Sequence, residues 1–258
     1  MKILIANDDG IQALGIATLA KALCKEHEVY IIAPDQERSA AGHALTLNMP
    51  LRVVDVNIGI DVKKAWAISG TPGDCVKIGV TAILDEKPDL IISGINHGPN
   101  LGSDVLYSGT VSAAMEGAVL GFPSIAVSLA DLYGNSYNFN PAAEFMAKFI
   151  NKIDNINFPK KTILNINIPA AELEDMNGIE VTRLGTKVYT DEYEKRLDPR
   201  GKVYYWLAGE VKHDSQEKGT DIYAVRDNKI SITPVTFEMT YTSILPDLEV
   251  AFCKSNCT

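Results

Sequence analysis

The chain has 258 residues, of which 46% are hydrophobic and 22% charged, and its formal net charge is −9. This is the composition of a globular protein that holds one large domain, or one domain plus an appendage. The acidic balance excludes a protein that tracks a nucleic-acid polymer, which needs clustered Lys and Arg, but admits a small phosphorylated substrate if a cation stands between carboxylates and phosphate.

Lys2–Ala6 is a short aliphatic run that enters Asn7-Asp8-Asp9-Gly10. It predicts a buried strand and the loop at its C-terminal end, where open parallel sheets bind ligands. Two adjacent carboxylates repel each other there. A divalent cation is the usual offset, and an Asx-type turn with a solvated acidic pair is the plainer alternative. Leu14–Leu23 carries Ile16, Leu19, Ala20 and Leu23 at helical spacing. Val29–Ala33 predicts a second strand, and Leu51–Val56 with Ala65–Ile68 a hairpin insertion. A helix over Asp74–Leu84 and a strand over Leu90–Ser93 follow. A helix over Thr110–Leu120, a strand over Ser124–Ser128, a helix over Ala142–Ile153 and a strand over Thr162–Ile168 complete the alternation. Strands that alternate with helices and are apolar throughout predict an α/β fold, a Rossmann-like parallel sheet with helices on both faces. The apolar stretch Ala113–Ala130 is broken by Glu116, Gly121 and Pro123, so no membrane span is expected.

The pattern changes after Arg183. Lys187–Leu197 and Lys202–Leu207 flank Asp198-Pro199-Arg200-Gly201, which is type I turn chemistry. The flanks carry Tyr189, Tyr193, Tyr204, Tyr205 and Trp206, so a long aromatic β-hairpin is expected, which either folds back on its own domain or, the favoured reading, packs on another subunit. Ile230–Thr233 reads as one more strand. The expected division is a catalytic core over residues 1–183 and a C-terminal hairpin and oligomerisation extension over 184–258. The four cysteines, Cys24, Cys75, Cys253 and Cys257, show no zinc-ribbon spacing. Cys253 and Cys257 read as part of a frayed tail. With no secretory signal read in the first residues, a cytoplasmic protein with reduced thiols is expected.

The loops after the strands share a chemistry. Asp8, Asp9, Ser39 and Asn96 offer carboxylate, hydroxyl and amide oxygens at one edge of such a sheet. An all-oxygen set suits Mg²⁺, Mn²⁺ or Ca²⁺ and not Zn²⁺. Ser39 and Asn96, taken singly, are also ordinary turn residues. Ser108-Gly109-Thr110 precedes an Ala-rich helix, an arrangement that binds phosphate or simply caps the helix. His43 and His97 lie in the same loops and offer proton transfer or structural hydrogen bonds, while His27 reads as a surface residue.

Taken together, the segments Ile3–Gly10, Ala33–Ser39, Gly70–Val76, Ser93–Asn100, Tyr107–Gly117, Asp198–Gly201, Tyr204–Trp206, Thr220-Asp221 and Ser231–Pro234 resemble the survival protein E (SurE) family, in family order over nearly the whole chain. That family comprises metal-dependent nucleoside-monophosphate phosphatases. The resemblance implies one divalent ion per subunit on Asp8, Asp9, Ser39 and Asn96. It implies phosphate near Asn96, Ser108, Gly109 and Thr110, and catalytic roles for Asp8 and Asp9. It also implies nucleoside 5′- and 3′-monophosphate substrates, short polyphosphate as a side activity, and a homodimer or homotetramer that exchanges the C-terminal extension. Two other classes compete. A Mg²⁺-binding receiver domain carries a similar acidic pair, but no Lys follows the strand ending at Ser128. A nucleotide-binding module without hydrolysis would be expected to carry a Gly-rich fingerprint, which is absent.

Overall fold

A computed structural model describes residues 1–132, 134, 137–153, 158–190, 192–209, 211–214 and 216–253. In chain order the elements of the first two thirds are β1 (Lys2–Ala6), α1 (Leu14–Leu23), β2 (Glu28–Pro34), β3 (Val53–Asp55), β4 (Lys64–Ile68), α2 (Pro72–Ile78), β5 (Leu90–His97), α3 (Gly109–Val119), β6 (Ser124–Ala130), α4 (Asn140–Ile150) and β7 (Thr162–Pro169). The rest comprises β8 (Ile179–Val181), β9 (Lys187–Tyr189), β10 (Tyr193–Leu197), β11 (Val203–Leu207), β12 (Val211–Asp214), α5 (Asp221–Arg226), β13 (Ile230–Thr236) and α6 (Leu245–Leu248).

Nine strands form one sheet in the order β3-β4-β2-β1-β5-β6-β7-β13-β8. From β4 to β7 every pairing is parallel. Both faces are covered, as the continuous apolar strands require. In β1, Ile3 and Ile5 join a core with Ile16 and Leu19 of α1 and Met146 of α4. Leu4 and Ala6 point the other way, toward Cys75 and Val76 of α2 and Ala113 of α3. The chain runs outward from β1 through β2 to β4, then returns to β5 and runs the other way through β6 to β7. The switch of direction lies between β1 and β5, and a crevice at the carboxyl ends of those two strands follows from it.

Three local expectations need correction. The pair read as a hairpin insertion is antiparallel, but β4 is a full member of the main sheet, parallel to β2. Its KAWAI run is too short to show whether its neighbour lies before or after it in sequence. The second helix begins at Pro72, not Asp74, because Thr71 and Asp74 form a reciprocal capping box. It ends at Ile78, and Gly79–Ile83 continues as one wider turn. The long hairpin is two short ladders, β9 with β12 and β10 with β11, with a register shift between Val211 and His213.

The expected turn at Asp198 is present: Gly201 N–H donates to Asp198 O at 2.9 Å, and Gly201 takes φ +77°. Tyr193, Tyr205, Trp206 and Leu207 stand exposed along this arm. The chain then returns, and β13 pairs antiparallel with β7 and parallel with β8. The segment 184–258 thus contributes a strand to the core sheet as well as the arm. Among the described residues no helix is long and apolar enough to cross a membrane. Cys24, Cys75 and Cys253 are free thiols, and Cys257 lies outside the described residues.

Candidate active site

Asn7 starts the site. Fully buried, its amide donates to Gly10 O at 2.9 Å and accepts from Gly10 N–H at 3.2 Å. This closes the turn and turns Asp8 and Asp9 out of the sheet edge. Gly10 needs φ +97°, and a Cβ there would meet Gln36 C at 3.2 Å.

Asp8 is buried at 7% exposure. Its Oδ1 accepts from the Thr110 hydroxyl, and its main-chain O accepts from Arg38 N–H at 2.8 Å. The Thr110 main-chain N–H also favours its charged form. Burial outweighs these bonds and raises the Asp8 carboxyl above the ordinary value. Asp9 is half-buried, and its Oδ2 accepts from His97 N–H at 3.4 Å. Burial first and the Asp8 charge second push it up to about 6. Among the described residues, Glu37 adds negative charge to both groups, and His97 offsets part of it at Asp9.

At the first turn of α3, Ser108 accepts from Val111 N–H at 3.0 Å, so its side chain acts as the helix cap. Thr110 is spent on Asp8. Gly109 has no room for a side chain: a Cβ would meet Asp8 Cβ at 2.7 Å and Oδ2 at 2.9 Å. These three residues therefore shape and orient Asp8 as well as presenting a helix N-terminus. Asn96 donates its Nδ2 to Gly98 O at 2.9 Å, which leaves its Oδ1 as the end not engaged by that bond. The β5–β6 register shifts between Ser93 and Asn96, around Gly94 at φ +139°.

Ser39 is exposed and donates to Glu37 Oε1. It joins the site through its neighbour, since Arg38 N–H is bonded to Asp8 O. Of the residues expected from the sequence, the structure thus brings Asp8, Gly109 and Thr110 into direct contact. Asp9 joins Asn96 through His97, and Ser39 lies one residue from the Asp8 contact. Among the described residues no group of three His, Cys, Asp or Glu gathers as a metal site, as follows from a set with only two carboxylates.

The histidines take structural partners. His43 Nε2 pairs with Glu116 Oε2 at 2.9 Å. The His97 ring stacks on Tyr137 at 4.4 Å, with Asp131 Oδ2 3.8 Å from Nε2.

Sequence reasoning missed the polar frame behind the loops. Asn165 and Asn167 both donate to Asn100 O, at 2.9 and 3.0 Å, and Asn167 Oδ1 accepts from Asn100 N–H at 2.9 Å. The signal was present, because two Asn at alternate positions in a buried strand need partners. Fully buried Asp221 accepts from Gly102 N–H at 2.7 Å and Gly185 N–H at 2.7 Å, tying the C-terminal third to the loop that leads to Ser108.

A model of the family described as survival protein SurE matches residues 3–191. A curated 5′-nucleotidase SurE from Thermosynechococcus vestitus is 50% identical over 96% of this chain and 95% of its own length. One of the same name from Pelotomaculum thermopropionicum is 50% identical over 96% and 94%. The crystal structure of the SurE protein from Aquifex aeolicus superposes with a TM-score of 0.83 at 39% identity, covering 97% of this chain and 99% of that one.

Proposed function

The chain belongs to the survival protein SurE family, and from that premise we propose that it is a 5′-nucleotidase that hydrolyses nucleoside monophosphates to nucleoside and phosphate at the crevice between β1 and β5. The observation that carries this reading is the pair Asp8–Asp9. Two carboxylates sit side by side at the sheet's switch point, one buried, and among the described residues the favourable charge of His97 on Asp9 is outweighed by burial and by Asp8. Burial raises both carboxyls and the Asp8 charge raises Asp9 further, and a divalent cation would offset that opposition to the charged forms.

The donor set fits a hard divalent ion. Asp8, Asp9, Ser39 and Asn96 would hold one such ion per subunit, Mg²⁺, Mn²⁺ or Ca²⁺. When bound, it supplies positive charge for the phosphoryl group and acidifies water. The chain's own residues do the rest. Thr110 fixes the Asp8 carboxylate from one side, and Gly109 lets α3 approach it closely. The start of α3 and the Asn96 side chain then face phosphoryl oxygens, and the helix N-terminus shares charge that develops on them. Asp9 orients the attacking water in line with the leaving nucleoside oxygen.

The same reading extends to 3′-monophosphates and short polyphosphate, to a cytoplasmic setting, and to a homodimer or homotetramer built on the 184–258 extension. The exposed aromatic arm supports the last of these. The receiver and non-hydrolytic readings are not favoured, since the curated relatives are named as nucleotidases. The test is phosphate release from a panel of nucleoside 5′- and 3′-monophosphates, with Mn²⁺ or Mg²⁺, with chelator, and with Asp9→Asn. Release that needs both metal and Asp9 supports the reading. No release from a folded, metal-binding protein overturns it.

A further inference from the structure

Glu116 is the one buried carboxylate of α3, at 3% exposure, and the mechanism above gives it no task. It accepts from two cationic or polar side chains. Lys77 Nζ of α2 donates to its Oε1 at 2.7 Å, and His43 Nε2 lies 2.9 Å from its Oε2. The His43 bond is the largest influence that holds the Glu116 carboxyl below its ordinary value. Lys77 and Glu116 belong to packed helices. His43 belongs to the loop that brings in Ser39.

That loop lacks regular structure from Asp35 to Pro50. Ala40 takes φ +53° and Gly42 φ +55°, and an alanine in that region persists only where its surroundings over-determine it. Beyond His43 the loop is held to the start of α2, where the Thr71 hydroxyl donates to Ala44 O at 2.7 Å and Asp74 accepts from Thr46 N–H at 3.0 Å, and three tethers hold the stretch around Ser39. Arg38 N–H bonds to Asp8 O at 2.8 Å, Gly42 N–H bonds to Tyr107 O at 3.1 Å, and His43 bonds to Glu116. Two of these are main-chain bonds. The third is made by side chains, and its anchor is a buried charge on the same helix that carries Gly109 and Thr110.

We propose that Glu116, acting through His43, is a positioning residue for the metal site: it registers the Ser39 loop against the helix that holds Asp8. The inference rests on the metal reading given above. Loss of the His43 bond loosens the stretch around Ser39, which its remaining tethers hold less tightly, and lowers metal affinity. Loss of the Lys77 bond costs folding stability only, since that bond joins α2 to α3.

Mn²⁺ titrated calorimetrically into the full-length protein tests this, beside thermal unfolding of each variant. His43→Ala is expected to weaken Mn²⁺ binding roughly tenfold, the low end for a partner that supports a ligand-bearing segment. His43→Gln, whose amide can donate to Glu116, is expected to return to within about twofold of wild type by the same bond. Lys77→Met is expected to lower the unfolding temperature with Mn²⁺ affinity unchanged. Unchanged affinity in a folded His43→Ala variant overturns the proposal, and so does an equal loss in Lys77→Met. Wild-type protein that binds no Mn²⁺ overturns the metal reading itself, a result distinct from either.

Discussion

Replacing Asp9 by Asn is expected to stabilise the metal-free protein. In the folded chain the Asp9 carboxyl is pushed from 3.8 to about 6, by burial and by the neighbouring Asp8. At ~1.4 kcal/mol per tenfold change in proton affinity, that is about 3 kcal/mol of opposition to the charged form. Asp9 is only half-buried, and solvent screening reduces the figure to about 1–2 kcal/mol. The sign is set by the direction of the shift. A raised carboxyl favours folding most below pH 3.8, and that contribution is lost as pH rises through about 6. Metal-free wild type should therefore lose stability between about pH 4 and pH 6.5, and Asp9→Asn should show a flatter profile. At pH 7.5 with chelator, the variant should unfold about 2–8 °C higher, given ~2–4 °C per kcal/mol for a chain of this length. With saturating Mn²⁺ the order should reverse, because only the wild type gains fully from the ion. The assay is scanning calorimetry across pH with chelator and then with Mn²⁺. A metal-free variant less stable than wild type, or one with the same pH slope, would refute the argument from like-charge repulsion.

Gly109→Ala places a Cβ 2.7 Å from Asp8 Cβ and 2.9 Å from its Oδ2. It should cost roughly 1–3 kcal/mol of stability through overpacking and at least a hundredfold in metal-dependent phosphate release, read by unfolding and rate assays together. Thr110→Val keeps the shape but removes the hydroxyl that donates to buried Asp8. It should weaken Mn²⁺ binding about tenfold in calorimetry, while Thr110→Ser stays near wild type. Asp221→Asn leaves one acceptor oxygen where the carboxylate serves Gly102, Gly185 and Ile222 N–H groups. A loss of about 3 kcal/mol is expected, seen as a drop of roughly 6–12 °C in unfolding temperature.

The parallel core was legible because its strands are buried on both faces and carry little but aliphatic residues, as Lys2–Ala6 and Ser124–Ala130 do. β4 was misjudged because KAWAI pairs with strands on both sides, one antiparallel and one parallel, and local sequence does not encode the partner. The acidic pair announced itself, since two adjacent Asp at a strand end have few explanations. The support behind it did not. Glu116 sits in a helix whose small residues bury it nearly all round, and its partners are 39 and 73 positions away in sequence. Asp221 likewise bonds to Gly102, which lies 119 positions away. Such contacts follow from topology and leave no trace in periodicity.

Those long-range contacts explain how the core and the extension depend on each other. The loop that leads from Asn100 to Ser108 has no regular strand or α-helix to hold it. Its ends are fixed by the Asn frame of β7 and by the N-terminus of α3. Its middle is fixed from the C-terminal third. Asp221 grips Gly102 and Gly185 together. Lys187 Nζ, at the base of the arm, donates to Asp104 at 2.6 Å, and the Tyr189 hydroxyl donates to the same carboxylate at 2.9 Å. A force on the arm therefore reaches the segment just before Ser108-Gly109-Thr110 through a half-buried ion pair, not through exposed chain. The residues that make the extension look separable in sequence, its polar turns and exposed tyrosines, lie at its tip, while its root is part of the frame that aims Asp8.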